Sequence, residues 1–200
     1  MGTARPIRCS RPCFDPPLDT VRNRAIVAVM SDPLIAADLC TQCGLCCNGA
    51  LFDFGPLAPA EVEQARSSGL TVLADDERHC FGLPCPALDG SVCTAYTTRP
   101  ETCRTYRCKL LRAAEAEDIT LGEALATVAR ARAASEAVVQ HLPPGATLSD
   151  ARRLRREAAA SDGAAMLIAP PALMIALGML DLVLDQYFRK ASERQVMPRD

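Results

Sequence analysis

The chain has 200 residues, with 22 Lys+Arg against 24 Asp+Glu, a net charge of -2 and only 4% aromatic residues. That length suits one domain with a substantial appendage, and the near-neutral charge offers nothing to a polyanion, so nucleic acid is not an expected partner. The diagnostic count is eleven cysteines against two histidines, because so many thiols seldom serve packing alone.

Taken in order, residues 1–37 read as an N-terminal extension with one short helix predicted over 19–30. The opening Met1-Gly-Thr-Ala-Arg-Pro-Ile-Arg-Cys-Ser lacks the apolar core of a secretory signal, so a cytoplasmic location with reduced thiols is expected. Eleven is also odd, which rules out complete disulfide pairing within the chain. Residues 38–110 hold nine of the cysteines and most of the turn signals. There, Pro59-Ala-Glu-Val-Glu starts a helix, with proline in its first turn and acids suited to the dipole. Thr71-Val-Leu-Ala predicts a short strand, and Asp89-Gly90 predicts a hairpin turn between 81–88 and 91–96. Arg99-Pro-Glu-Thr predicts a helix running past Cys108 to about Glu117.

Residues 111–200 contain no cysteine and read as helices. Thr120-Leu-Gly-Glu123 is a capping box, followed by apolar residues at Leu121, Leu125, Val128, Ala131, Ala134, Val138 and Leu142, in steps of three or four. Pro143-Pro144-Gly145 ends that helix, and two more are predicted over 149–159 and 171–190. The apolar run 164–184 is too interrupted to span a membrane, since Pro170-Pro171 breaks it and Asp181 lies within it. The expected fold is mainly α, with a cysteine-rich loop and hairpin zone that binds metal packed against a C-terminal helical zone. The Arg152-Arg153-Leu-Arg155-Arg156 run is expected to be a solvated helix face.

The chemistry concentrates in two cysteine clusters. The first is Cys40-x-x-Cys43-x-x-Cys46-Cys47, whose two-residue gaps let a tight turn present two sulfurs to one metal. Cys46 and Cys47 are adjacent, so their side chains must diverge toward different metals, or one of them must pack. The second cluster is Cys80-x4-Cys85-Pro-Ala-Leu, then Cys93, Cys103 and Cys108. On a continuous helix Cys103 and Cys108 would lie ~140° apart and could not share one ion, which makes Cys108 the least secure ligand. Arg99, Arg104 and Tyr96 are candidates to donate hydrogen bonds to the sulfurs and offset thiolate charge. Softness suits thiolates to zinc or to an iron–sulfur cluster, and ferredoxin-like spacing tips the first cluster toward the latter. His79 is read as solvated and His141 as a helix-end residue without chemistry.

Cys40-Thr-Gln-Cys43-Gly-Leu-Cys46-Cys47, then Cys85-Pro-Ala-Leu88, then Gly90-Ser-Val-Cys93-Thr-Ala-Tyr96-Thr-Thr-Arg99-Pro100-Glu-Thr-Cys103-Arg104-Thr-Tyr106, resembles the CxxCxxCC cysteine-cluster family of zinc- or iron-chelating domains. The resemblance spans roughly 38–110 and implies metal chelation by these thiols; Cys9, Cys13 and Cys80 lie outside it, and Cys108 is variable in it. One branch resembles the flagellin lysine N-methylases, which implies an S-adenosylmethionine-dependent protein methyltransferase-like enzyme as an alternative to a non-catalytic metal-binding module. No glycine-rich cofactor loop supports that alternative. A third reading uses the Cys46-Cys47 pair in thiol redox exchange. The helical zone leaves room for a protein partner.

Overall fold

The structure, a computed structural model, describes residues 33–74, 78–160 and 170–197. The helix predicted over 19–30 lies outside them. The described part is mainly helical, with two small sheets. Helix α1 (Pro33–Cys43) leads into a loop, then β1 (Phe54–Leu57), a 3-10 turn (Pro59–Glu61), α2 (Val62–Ser67), β2 (Val72–Ala74) and β3 (His79–Gly82). A two-strand hairpin, β4 (Leu88–Asp89) and β5 (Val92–Cys93), precedes α3 (Glu101–Thr105), α4 (Lys109–Glu115), α5 (Leu121–Val139), α6 (Leu148–Ala160) and α7 (Pro171–Tyr187).

β3 is the centre of the first sheet, pairing antiparallel with β1 on one side and β2 on the other. Gly55 faces Phe81 across the β1–β3 ladder, and a Cβ there would sit 2.2 Å from the Phe81 ring, so only glycine lets that ring close over the strand. Phe81 then packs with Leu57, Ala65, Leu70 and Ala87 in a small satellite core. The predicted hairpin forms at Asp89-Gly90, with Gly90 at φ +60°.

The main core joins α1, α4, α5, α6 and α7. Helix α5 begins as predicted: the Thr120 Oγ1 accepts the Glu123 N–H at 3.2 Å, and the Glu123 carboxylate accepts the Thr120 N–H at 2.8 Å. Its apolar stripe turns inward at Val128, Ala131 and Val138. Helix α7 buries Leu173, Leu177, Leu180 and Leu184 and leaves Ile175, Met179 and Leu182 exposed.

Three predictions need correction. Cys40 and Cys43 do not sit in a turn; they occupy the last turn of α1, and the turn begins at Gly44, whose φ is +67°. The helix predicted to run through Cys108 instead breaks in two, because Tyr106 is extended (φ -62°, ψ 131°) and Cys108 (φ -69°, ψ 166°) becomes the N-cap of α4. The Lys109 N–H at that break donates to the Phe188 carbonyl at 2.9 Å, so the C-terminal end of α7 holds the interruption in place.

The arginine run of α6 is the third correction. Arg152 is only 5% exposed, and its guanidinium reaches back across the chain to the loop after the first cysteines. It donates to the carbonyls of Gly49, Ala50 (3.1 Å) and Phe52 (3.3 Å) and pairs with the Asp53 carboxylate. Arg155 pairs with Asp181, which also accepts from Arg189 at 2.7 Å; Arg189 in turn reaches Asp185 at 2.8 Å. Asp181 and Asp185 are fully buried, so a helix that looked merely interrupted in sequence carries an internal ion network. Arg153 alone of the four pairs locally and stays exposed, with Asp150 at 2.8 Å, while exposed Arg156 reaches Asp53 at 3.6 Å.

Two outcomes follow from these buried charges. Arg152→Met leaves Asp53 and three carbonyls without their donor; the expected loss is about 3–5 kcal/mol, a fall in Tm on the order of 10 °C in a thermal melt. An unchanged Tm would show that Arg152 does not brace the loop. Burial raises the Asp185 carboxyl, but the Arg189 guanidinium and the amides of Met197, Val196 and Gln195 outweigh it and hold the group below its ordinary value. A depressed carboxyl contributes stability above its unfolded pKa of about 3.9, and that contribution disappears as pH falls through the lower folded value. Melts between pH 6 and pH 2 are expected to show a steeper acid loss for the native chain than for Asp185→Asn; parallel curves would contradict this.

Candidate metal centre

Cys40, Cys43, Cys46, Cys47, Cys85, Cys93, Cys103 and Cys108 are free thiols, and all eight line one cavity of about 200 Å³. They arrive from four pieces of backbone. Cys40 and Cys43 stand three residues apart on one face of α1. Cys46 and Cys47 follow on the loop, where the Cys47 and Asn48 N–H groups donate to the Gly44 carbonyl at 3.0 and 2.9 Å and wind the chain tightly. Gly44 also passes so close to the hairpin that a Cβ would stand 3.3 Å from the Ser91 Cα. Cys85 is tied to this loop by its own N–H, which donates to the Cys47 carbonyl at 2.7 Å, and Cys93 pairs across the hairpin with Leu88. Cys103 lies on α3 and Cys108 caps α4.

The thiols act on one another unequally. After burial, which acts most strongly on each, Cys46 is raised by Cys108, Cys43, Cys47 and Cys40, and Cys43 by Cys108, Cys40 and Cys47. Cys108 is foremost among the thiols acting on Cys43 and Cys46, and Cys85 and Cys93 among those acting on Cys47, with Cys47, Cys85 and Cys93 acting on Cys103. Cys47 also senses Cys40. The break before α4 places Cys108 at the N-cap of that helix, where its sulfur accepts the Leu111 N–H at 3.4 Å.

Burial dominates the chemistry of these thiols. It pushes Cys43 and Cys47 up to about 12, Cys108 up to about 11, and Cys46 well above its ordinary value. Cys40 and Cys103 are the more exposed of the set, yet burial still raises Cys40 and pushes Cys103 up to about 12. Three features work the other way. The N–H of Leu45 donates to the Cys43 sulfur and that of Ala87 to the Cys85 sulfur, each from two residues on, and Leu111 donates to the Cys108 Sγ at 3.4 Å. Such amides favour the thiolate, the form a metal takes. Among the described residues, no three Cys, His, Asp or Glu side chains make a ready coordination shell as they stand, so the thiols form a neighbourhood rather than closed metal cages.

Of the expected supporting residues, Arg99 and Tyr96 line the cavity, with the Arg99 guanidinium stacked 3.9 Å from the Tyr96 ring centroid. Tyr96 is exposed, and Arg104 spends its Nη1 on the Arg99 carbonyl at 2.9 Å and is not among the lining residues. Sequence reasoning missed two neighbours. Arg107 is the foremost charge favouring the Cys40 thiolate and is itself held by Glu115 at 3.0 Å. Tyr106 lines the cavity edge-on to Phe52, near Cys46 and Cys108, and its hydroxyl is directed at Glu193. Their place in the run Arg104-Thr-Tyr106-Arg107-Cys108 was the available signal. His79 presents a buried Nδ1 without a hydrogen-bond partner rather than a solvated ring. The expectation of reduced thiols fails at Cys80, which is buried in β3 and disulfide-bonded. Cys9 and Cys13 lie outside the described residues.

No described helix is long and apolar enough to cross a membrane. No curated protein and no solved structure matches the chain. A family model does match, over a stretch that begins at Leu39 beside the first cysteine and ends at Leu125 inside α5, taking in all eight cavity thiols. Residues 39–125 match the CxxCxxCC family, whose description is "Putative zinc- or iron-chelating domain".

Proposed function

We propose that the chain is a metal-binding module with two four-thiolate centres, one held by Cys40, Cys43, Cys46 and Cys108 and the other by Cys47, Cys85, Cys93 and Cys103. The observation that carries this reading is the convergence of eight free thiols, enough for two four-thiolate shells, on one cavity. Four thiolates suit Zn²⁺ in a closed structural site and equally suit an iron–sulfur cluster. In both, the cation reverses the effect of burial, because a coordinated thiol loses its proton outright. The unit that binds is the 38–110 segment, and the helices of 111–200 brace it through Arg152, through Arg132, which donates to the Gln42 carbonyl at 2.9 Å, and through the Phe188 carbonyl.

The adjacent cysteines give a direct test. Elemental analysis of anaerobically purified chain is expected to find two zinc ions, or iron with acid-labile sulfide and a brown colour. Cys46→Ser and Cys47→Ser are each expected to remove one centre and leave the other. A native chain free of both metals, or two variants that empty the same centre, would overturn the reading.

A further inference from the structure

Cys80 stands apart from the cavity thiols. Eight of the eleven cysteines are free and line the cavity, whereas Cys80 is disulfide-bonded and is not among the lining residues. Within one chain, the cysteines left to pair with it are Cys9 and Cys13. A second observation points the same way. Side chains alternate across a strand, and β3 is buried on both of its faces, at Cys80 and at Phe81. Phe81 and its register partner Val72 pack in the satellite core. Cys80 and its register partner Leu73 face the other way and join neither apolar core of the described residues. Yet Cys80 is only 4% exposed and Leu73 is half-buried. That face of the sheet is therefore covered, and neither core is what covers it.

We propose that the N-terminal segment around Cys9 and Cys13 lies on this face, bonded to Cys80 through one of those two sulfurs. The segment has suitable chemistry, since Ile7, Phe14 and Leu18 offer apolar side chains close to its two cysteines. About 20 residues separate Cys13 from the start of α1 at Pro33, a reach of up to ~66 Å when extended, so the length of chain imposes no constraint. Closing the bond joins two thiol sulfurs; two protons and two electrons pass to a small-molecule disulfide, which leaves as two thiols. Cys80 is not a cavity thiol, so this inference stands or falls separately from metal binding.

The test uses the full chain purified without reductant, denatured with a chelator present, alkylated, digested and read by mass spectrometry. The expected product is a Cys80 peptide joined to a peptide of the Cys9–Cys13 region, with the other of those two cysteines alkylated. Cys80 recovered as an alkylated thiol, or joined to a cavity cysteine or to a second chain, would overturn the proposal. The double variant Cys9→Ser/Cys13→Ser is expected to leave Cys80 open to alkylation. It is also expected to speed backbone hydrogen exchange over 72–74 and 79–82 on the order of 10-fold, with α5 unchanged. If that variant does not fold, mild reduction of the native chain serves in its place, with the same expectation. Sheet exchange that stays unchanged once the bond is gone would show a tether that does not cover the sheet, and would overturn the docking.

Discussion

Burial of sulfur in a shared, mainly apolar cavity is the constraint on which this structure turns. A thiol withdrawn from water prefers to stay protonated, and its neighbours reinforce that preference because each additional thiolate repels the rest. Cys43, Cys46, Cys47 and Cys108 all feel this. Left to themselves such groups would be inert small apolar side chains. A soft cation inverts the balance, turning mutual repulsion into shared attraction, and the backbone amides at Cys43, Cys85 and Cys108 already point the way the thiolate needs. Metal affinity and folding are then one free energy, drawn on by the same contacts.

The rest of the fold supplies rigidity to a segment with little of its own. The two sheets are short, and the loop from Gly44 to Asp53 has no regular structure to hold it. Helix α6 compensates with one buried arginine that gathers three successive stretches of that loop's carbonyls and its terminal carboxylate. Helix α7 fixes the break that turns Cys108 inward, and its own register is held by Asp181 and Asp185 against Arg155 and Arg189. Packing by aliphatic residues sets where the helices lie; buried ion pairs set how they address the cysteines.

What could be read from sequence was whatever depends on near neighbours. The Thr120–Glu123 box, the Asp89-Gly90 turn and the proline start of α7 are local matters, and the cysteine spacing already resembled the family that residues 39–125 match. The misses share a cause. Nothing between Arg99 and Glu117 forbids a helix; the interruption before Cys108 is held by a carbonyl on Phe188, far along the chain. Arg152 looked solvated because its carboxylate partner, Asp53, lies in a different zone of the sequence.

X-ray absorption at the metal edge of the natively loaded chain tests the central claim most directly. Four sulfur scatterers per metal, at about 2.3 Å for zinc, are the result this account requires. A first shell dominated by nitrogen or oxygen, or fewer than three sulfurs per metal, would contradict it.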